Sequence, residues 1–282
     1  MLTRVALFRQ WIQRRCLYPL ISVCTIGIIT LGQTQLSQAI PWDQILRQGV
    51  QLLQLSNMSD GQEMALGLQI NQELGNGQVR LSQNQLANAY VDRIGQKLAQ
   101  NSARPNIKYT FQVVEDDGIN AFATMGGFVY VNSGLLKIAD NEAQLASVIG
   151  HEIGHITGRH ALQHMQQAAL VQGISSILGT DRDRLVQMGV QLALTLPNSR
   201  KDEYDADKRG LVTLIRSGYA PSAMPEFMKK LMQSNSPPEF LSSHPAVPQR
   251  VANLQRMIPN GYKNRTQGLN TSTYKQNIRS FF

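Results

Sequence analysis

The sequence predicts an α+β fold, predominantly α-helical, with a small antiparallel sheet lying beside a helix that carries His-Glu-Ile-Gly-His at 151–155. Three observations lead there. Apolar residues recur at helical spacing through most of the chain. One region, 107–131, changes to alternation and glycine turns, the pattern of short strands. Four of the five histidines fall between 151 and 164, so one helix concentrates the chemistry.

Taken in order, residues 1–39 read as an export signal. A basic region ends at Arg15, an apolar run follows from Cys16 to Leu31, and Ser37-Gln38-Ala39 precedes Ile40-Pro41, which fits cleavage after Ala39. The run is short for a spanning helix and is interrupted by Pro19, Ser22 and Thr25, with a retained N-terminal anchor as the alternative. Both cysteines, Cys16 and Cys24, lie in this leader, so a mature chain has no disulfide and no thiol ligand or nucleophile. Half of the formal charge of +8 also sits here: Arg4, Arg9, Arg14 and Arg15 face no acid. No stripe of basic residues interleaved with aromatics occurs, which argues against nucleic acid as a partner.

Residues 40–80 form a helical segment, with Ile45, Leu46, Val50 and Leu53 followed by a Gln-rich pattern from 64 to 74. A helix is predicted over 82–100, with Ser82 as N-cap and Leu86, Tyr90, Ile94 and Leu98 four apart. Ile107, Tyr109, Phe111 and Val113 alternate with polar neighbours, a strand with one buried face. Residues 122–124 and 128–131 read as two strands around Met125-Gly126-Gly127. The stretch 168–196 is amphipathic, either a lid near a cleft or a plain hairpin. The main domain spans 81–260, and 261–282, polar and poor in aliphatics, reads as a loosely attached tail.

Asn141 with Gln144 three residues later starts the histidine helix, and Leu145, Val148, Ile149, Ile153 and Ile156 mark its apolar face. His151 and His155, four apart, project side by side. Glu152 falls within the apolar stripe, where a carboxylate is costly to bury without a partner. The pattern H-E-x-x-H on a helix is a zinc signature, two imidazole ligands with the Glu as general base. In a continuous helix His160 points roughly 180° and His164 roughly 140° from His151, so both read as ordinary residues of the other face. A third histidine six residues after the second is excluded by Ala161.

The remaining ligand comes from a second helix, about 200–217. Glu203, Ala206, Asp207, Gly210, Leu211 and Leu214 share one face; Lys201, Asp202, Asp205, Lys208 and Arg209 share the other, read as solvated. Two acids on the dry face need a cation or donors, so Glu203 is assigned as the third ligand. Asp207 is assigned to hold the free N–H of a ligand histidine. Small Ala206 and Gly210 allow the two helices to approach closely.

HEIGH followed about fifty residues later by Glu-x-x-Ala-Asp resembles the gluzincin metallopeptidases of peptidase family forty-eight. Asn120-Ala121-Phe122-Ala123, Ser133-Gly134-Leu135, Arg159-His160, Ser199-Arg200 and His244-Pro245 with Arg250 extend that resemblance over about 60–260. It implies a zincin-type core holding one Zn²⁺ through His151, His155 and Glu203, and periplasmic or membrane-associated quality control of unfolded or misassembled envelope polypeptides. Unlike polytopic members the sequence shows no set of spanning helices, so prenylated substrates are not expected, nor is a repeat domain after the catalytic part. His244 is read as the oxyanion donor with Arg250 supporting, or alternatively as a displaceable fourth ligand. The strand over 127–131 is expected as the sheet edge, with Asn120, Ala121, Phe122, Gly127, Phe128 and Val129 binding an extended substrate. The alternative from another class is a catalytically silent or latent, chaperone-like zinc protein using the same groove.

Overall fold

The computed structural model describes residues 57–171, 182–195, 198–233, 238–245 and 247–282. The expected leader, the apolar pattern at 45–53 and the middle of the 168–196 segment lie outside them. None of the described helices is long and apolar enough to cross a membrane.

Helix α1, Asp60–Glu73, starts from a reciprocal capping box between Ser59 and Gln62. Helix α2, Gln85–Gln100, starts from Asn84 rather than Ser82. The Asn84 side chain accepts the Ala87 N–H at 3.0 Å, while the Ser82 hydroxyl accepts the Asn84 N–H at 3.2 Å. That two-residue displacement leaves Leu86 exposed, and Ala87 and Val91 join Tyr90, Ile94 and Leu98 on the buried face.

Strand β1, Thr110–Val114, sends Phe111 and Val113 toward α2. Strands β2, Ala121–Thr124, and β3, Phe128–Asn132, form a hairpin whose turn needs positive φ at Gly126 (79°) and Gly127 (100°). The strand order is β1-β3-β2, with β3 antiparallel to β2 and parallel to β1. Two details of the expectation change: the sheet is mixed, and β3 is its centre rather than its edge. All five β3 residues are buried, Val129 and Val131 against the main core and Phe128 and Tyr130 against a second cluster with Ile70, Leu162 and Met165. A strand covered on both faces reads as a continuous apolar run, which Phe-Val-Tyr-Val is.

After the short helix α3, Ser133–Ile138, comes α4, Glu142–Gly158, capped by Asn141 as expected. It ends at Arg159, the one non-glycine with positive φ (55°) among the described residues, so α5, His160–Val171, leaves in a new direction. Helix α6, Arg182–Thr195, packs beside α5 and α1. Helix α7, Arg200–Arg216, lies across α4 at close range. A β-carbon on Gly154 would come 2.4 Å from the Ala206 carbonyl oxygen, and one on Gly210 would come 2.8 Å from that of Gly150. Backbone meets backbone here, so neither site can yield by moving a side chain. Gly154→Ala is accordingly expected to lower the unfolding free energy by about 1–3 kcal/mol in urea melts, although alanine is the better helix former.

Helices α8, Ala223–Met232, α9, Glu239–Ser243, and α10, Val247–Met257, complete the far side of the core. Residues 261–282, expected as a loose tail, are instead docked. In α11, Thr271–Ile278, Tyr274 and Ile278 are buried, Tyr274 donates to the Leu136 carbonyl at 2.8 Å, and Lys275 caps the carbonyls of Lys137 and Ala139. Two anchors one turn apart suffice to hold an otherwise polar segment.

Candidate metal centre

Helix α4 supplies His151, Glu152 and His155; α7 supplies Glu203 and Asp207; the turn after α9 supplies His244; and α10 supplies Arg250. All seven are buried, and the Gly154–Ala206 contact explains how two helices bring short carboxylate and imidazole side chains into one place. His151 Nε2 lies 3.1 Å from His155 Nε2 and 3.4 Å from Glu203 Oε2. His155 Nε2 lies 3.3 Å from Glu203 Oε1. His244 Nδ1 completes the group, 3.0 Å from Glu203 Oε1 and 3.2 Å from His151 Nε2.

These atoms fit a metal ion. Ligands about 2.0–2.1 Å from a tetrahedral zinc are about 3.3–3.4 Å from one another, the spacing seen here. Asp207 Oδ1 lies 3.0 Å from His151 Nδ1, which places the ring hydrogen on that side and a lone pair toward the cluster. Convergent lone pairs from imidazole and carboxylate are favourable only around a cation. Among the described residues, His151, His155, Glu203 and His244 are the group able to hold one, their donor atoms all within 4.8 Å.

The electrostatics divide the two ligand histidines. Burial pulls His151 down, but Glu203 and Asp207 outweigh it and lift its imidazole to about 9. His155 is pulled to about 3, chiefly by burial. Burial opposes ionisation of Glu203 too, yet His244 and His151 beside it hold its carboxyl well below the usual range. Glu152 is pushed up by burial; its Oε1 has no hydrogen-bond partner and lies 3.6 Å from His244 Nε2. It stands next to the cluster and outside it.

Arg250 does not face the cavity. Its guanidinium is fully buried behind the ligands, donating from Nε and Nη2 to the two oxygens of Asp207, each at 2.7 Å, pairing with Glu203, and donating to the His244 carbonyl at 3.1 Å. Arg250, expected to support His244, thus holds Glu203, Asp207 and the His244 backbone in place from behind.

The cavity in front of the cluster is lined by Glu152, His155 and His244 at one side and by Ile70, Phe122, Met165 and Leu192 beyond. Helix α6 forms part of its wall. Of the residues expected to bind substrate, Phe122 reaches this cavity. Asn120 is buried and accepts the Ala121 N–H, and Ala121 is wholly covered. Gly127, Phe128 and Val129 belong to the turn and to the central strand, whose hydrogen bonds are already taken by β1 and β2. Among the described residues no strand pairs with the outer side of β2, which is the edge that meets the cavity.

His160 and His164, expected as ordinary residues of the other face, and the acids Asp202 and Asp205, expected as solvated, meet one another instead. The break at Arg159 invalidates the continuous-helix rotation used for them. His160 is buried with Nδ1 2.9 Å from His155 Nδ1 and Nε2 3.2 Å from Asp205 Oδ2. His164 Nε2 lies 2.9 Å from Asp202 Oδ2. Asp202 and Asp205 thus carry α5 on α7 and are not simply solvated. Gly158 was the one local hint, since glycine near a helix end marks a possible stop.

Known proteins are similar to this chain in sequence. The profile of Peptidase family M48 matches residues 85–258. The Beta-barrel assembly-enhancing protease of Escherichia coli (strain K12) is 33% identical over 267 residues, covering 88% of this chain and 53% of the relative. Mitochondrial metalloendopeptidase OMA1 of Saccharomyces cerevisiae is 30% identical over 171 residues, covering 56% of this chain and 50% of the relative. The chain thus spans about half the length of the curated relatives it matches. With the family profile matching more than half of the chain, a relative 33% identical over 88% of it, and a buried His-His-Glu cluster on paired helices, the chain belongs to Peptidase family M48.

Proposed function

We propose that the chain is a zinc endopeptidase that hydrolyses unfolded or damaged polypeptides of the cell envelope, acting in the periplasm or at a membrane facing it. The observation that carries the reading is the buried carboxylate of Glu152, its Oε1 without a hydrogen-bond partner, beside three convergent ligands. His151, His155 and Glu203 would hold the ion, with Asp207 and Arg250 behind them. A zinc ion there supplies Lewis acidity, lowering the pKa of a held water toward ~7 and polarising a carbonyl oxygen. Glu152 accepts the water's proton as it attacks the scissile carbon and returns that proton to the departing amine. An extended substrate adds to the outer edge of β2, so backbone hydrogen bonds contribute most of the binding and unfolded chains are favoured. The name of the Escherichia coli relative, a beta-barrel assembly-enhancing protease, supports an envelope role, and the leader read at 1–39 supports export.

The test is cleavage of casein by the purified zinc-loaded chain, abolished by a chelator and restored by zinc. Glu203→Ala lacking stoichiometric zinc is the expected companion result; full zinc content in that variant would remove the assigned ligand.

A latent form is favoured by one observation: His244 Nδ1 sits among the ligands, 3.0 Å from Glu203 Oε1. In that position it fills the fourth place that a catalytic site keeps open. His244→Ala is then expected to raise casein cleavage with zinc retained, read from initial rates. A fall in rate would assign His244 to the oxyanion instead.

A further inference from the structure

Each of the two α4 imidazoles facing the ion site has a partner on its far nitrogen, and the two partners differ. His151 is held by a carboxylate, Asp207. His155 is held by another imidazole, His160, which in turn meets Asp205. Arg209 donates to the same Asp205 oxygen at 2.6 Å, so the acid is fixed as well. The local chain is shaped for this contact. A β-carbon on Gly158 would come 2.4 Å from the His160 ring, so glycine lets the ring fold back beneath the end of α4, and the left-handed Arg159 turns the chain to deliver it. Arg159 is anchored in that conformation by Glu63 at 2.9 Å and Asp60 at 2.7 Å.

We propose that His160 and Asp205 form a positioning relay that sets the tautomer and ring plane of His155, resting on the reading of the cluster as a zinc centre. The hydrogens leave one consistent arrangement. For Nε2 of His155 to offer a lone pair to the ion, its hydrogen must be on Nδ1. That N–H donates to Nδ1 of His160, whose own hydrogen is then on Nε2 and is donated to the Asp205 carboxylate. Both rings are neutral and all three groups are satisfied. The reverse arrangement would aim an N–H of His155 at the ion. A partner on the far nitrogen of a ligand histidine fixes its orientation and raises its basicity, and His160 passes the charge of Asp205 to a ligand that the carboxylate does not itself touch. His160 and Asp205 are positioning residues: neither belongs to the cluster of ligand atoms.

The fold supplies its own control. One turn along α5, His164 pairs with Asp202 across the same two helices, but this pair has no ligand histidine on its other side. Losing it removes a helix-to-helix clip of the same chemistry without touching the orientation of His155.

The experiment is zinc affinity of the full chain, by competition with a chromophoric chelator, together with the visible spectrum of the cobalt-substituted protein. His160→Phe and Asp205→Asn are expected to weaken zinc binding by about 10–100-fold and to change the cobalt bands, which report ligand geometry. His160→Gln, whose amide oxygen can accept from His155 Nδ1, is expected to recover part of the loss. His164→Phe is expected to leave affinity and spectrum unchanged. Wild-type affinity and spectrum in His160→Phe would overturn the relay, and so would an equal loss in His164→Phe, which would reduce both pairs to helix packing. Should the Phe variant not fold, Asp205→Asn, at a half-exposed position, decides in the same way. An unaltered chain that binds no zinc would overturn the metal centre itself, and the relay with it.

Discussion

Replacing Glu152 with glutamine is expected to leave zinc content unchanged and to reduce cleavage of casein by about 10²–10⁴-fold, the usual contribution of a positioned acid–base group. The substitution keeps size and shape and removes only the ability to take a proton. Zinc content should hold because Glu152 lies outside the ligand cluster. Stability should hold or rise, because burial disfavours the charged form of this carboxyl and an amide has no such cost. A stable, metal-loaded, inactive variant is therefore the signature of a general base. Native mass spectrometry for zinc, with initial rates on the same preparation, makes the comparison. Cleavage persisting at the unaltered rate would remove Glu152 as the assigned base, whereas a zinc-loaded unaltered chain that cleaves nothing would return the chain to the reading of a zinc-binding, chaperone-like protein.

Much of this centre could be read from the sequence because it rests on local geometry. Residues four apart on a helix lie side by side whatever the rest of the fold does, so His151 and His155 were legible as a pair. Glu203 and Asp207 were legible because acids on a dry face need a counter-charge, and Ala206 and Gly210 on that face marked where another helix comes close. What escaped is tertiary. The face of α7 carrying Asp202 and Asp205 looks solvated by its periodicity, and only the docking of α5 makes it a contact surface. That docking depends on the turn at Arg159, a residue that seldom takes positive φ and is held there by Asp60 and Glu63, about a hundred positions away.

The sheet teaches the same lesson from the other side. Hairpin and strands follow from alternation and glycines, but strand order does not follow from adjacency. The chain leaves β1, lays down β2 at a distance, and returns to fill the gap with β3. The unbroken apolar run of Phe128 to Val131 was the signal that both faces would be covered. Placing β2 at the edge moves the proposed substrate-pairing edge from residues 127–131 to residues 121–124.

Arg250→Met is expected to cost about 3–5 kcal/mol of stability in the metal-free protein, the range for breaking a buried ion pair from one side. Arg250 is fully buried, and its guanidinium is the shared cation of two buried acids, Asp207 and Glu203. Methionine fills the space along the side-chain stem but leaves both carboxylates without that charge. Zinc should return part of the loss, since the ion neutralises Glu203 directly while Asp207 retains only the N–H of His151. The deficit is thus expected to be larger in chelator than in zinc, which urea unfolding under the two conditions measures. Arg250→Lys should fall between, because an ammonium keeps the charge but cannot make both parallel bonds to Asp207 while also reaching Glu203 and the His244 carbonyl. If Arg250 served only to pack α10 on α7, the deficit would be the same with and without zinc, and lysine would be no better than methionine. An apo protein losing less than about 1 kcal/mol would contradict the buried-cation account, because that is the scale of an exposed ion pair.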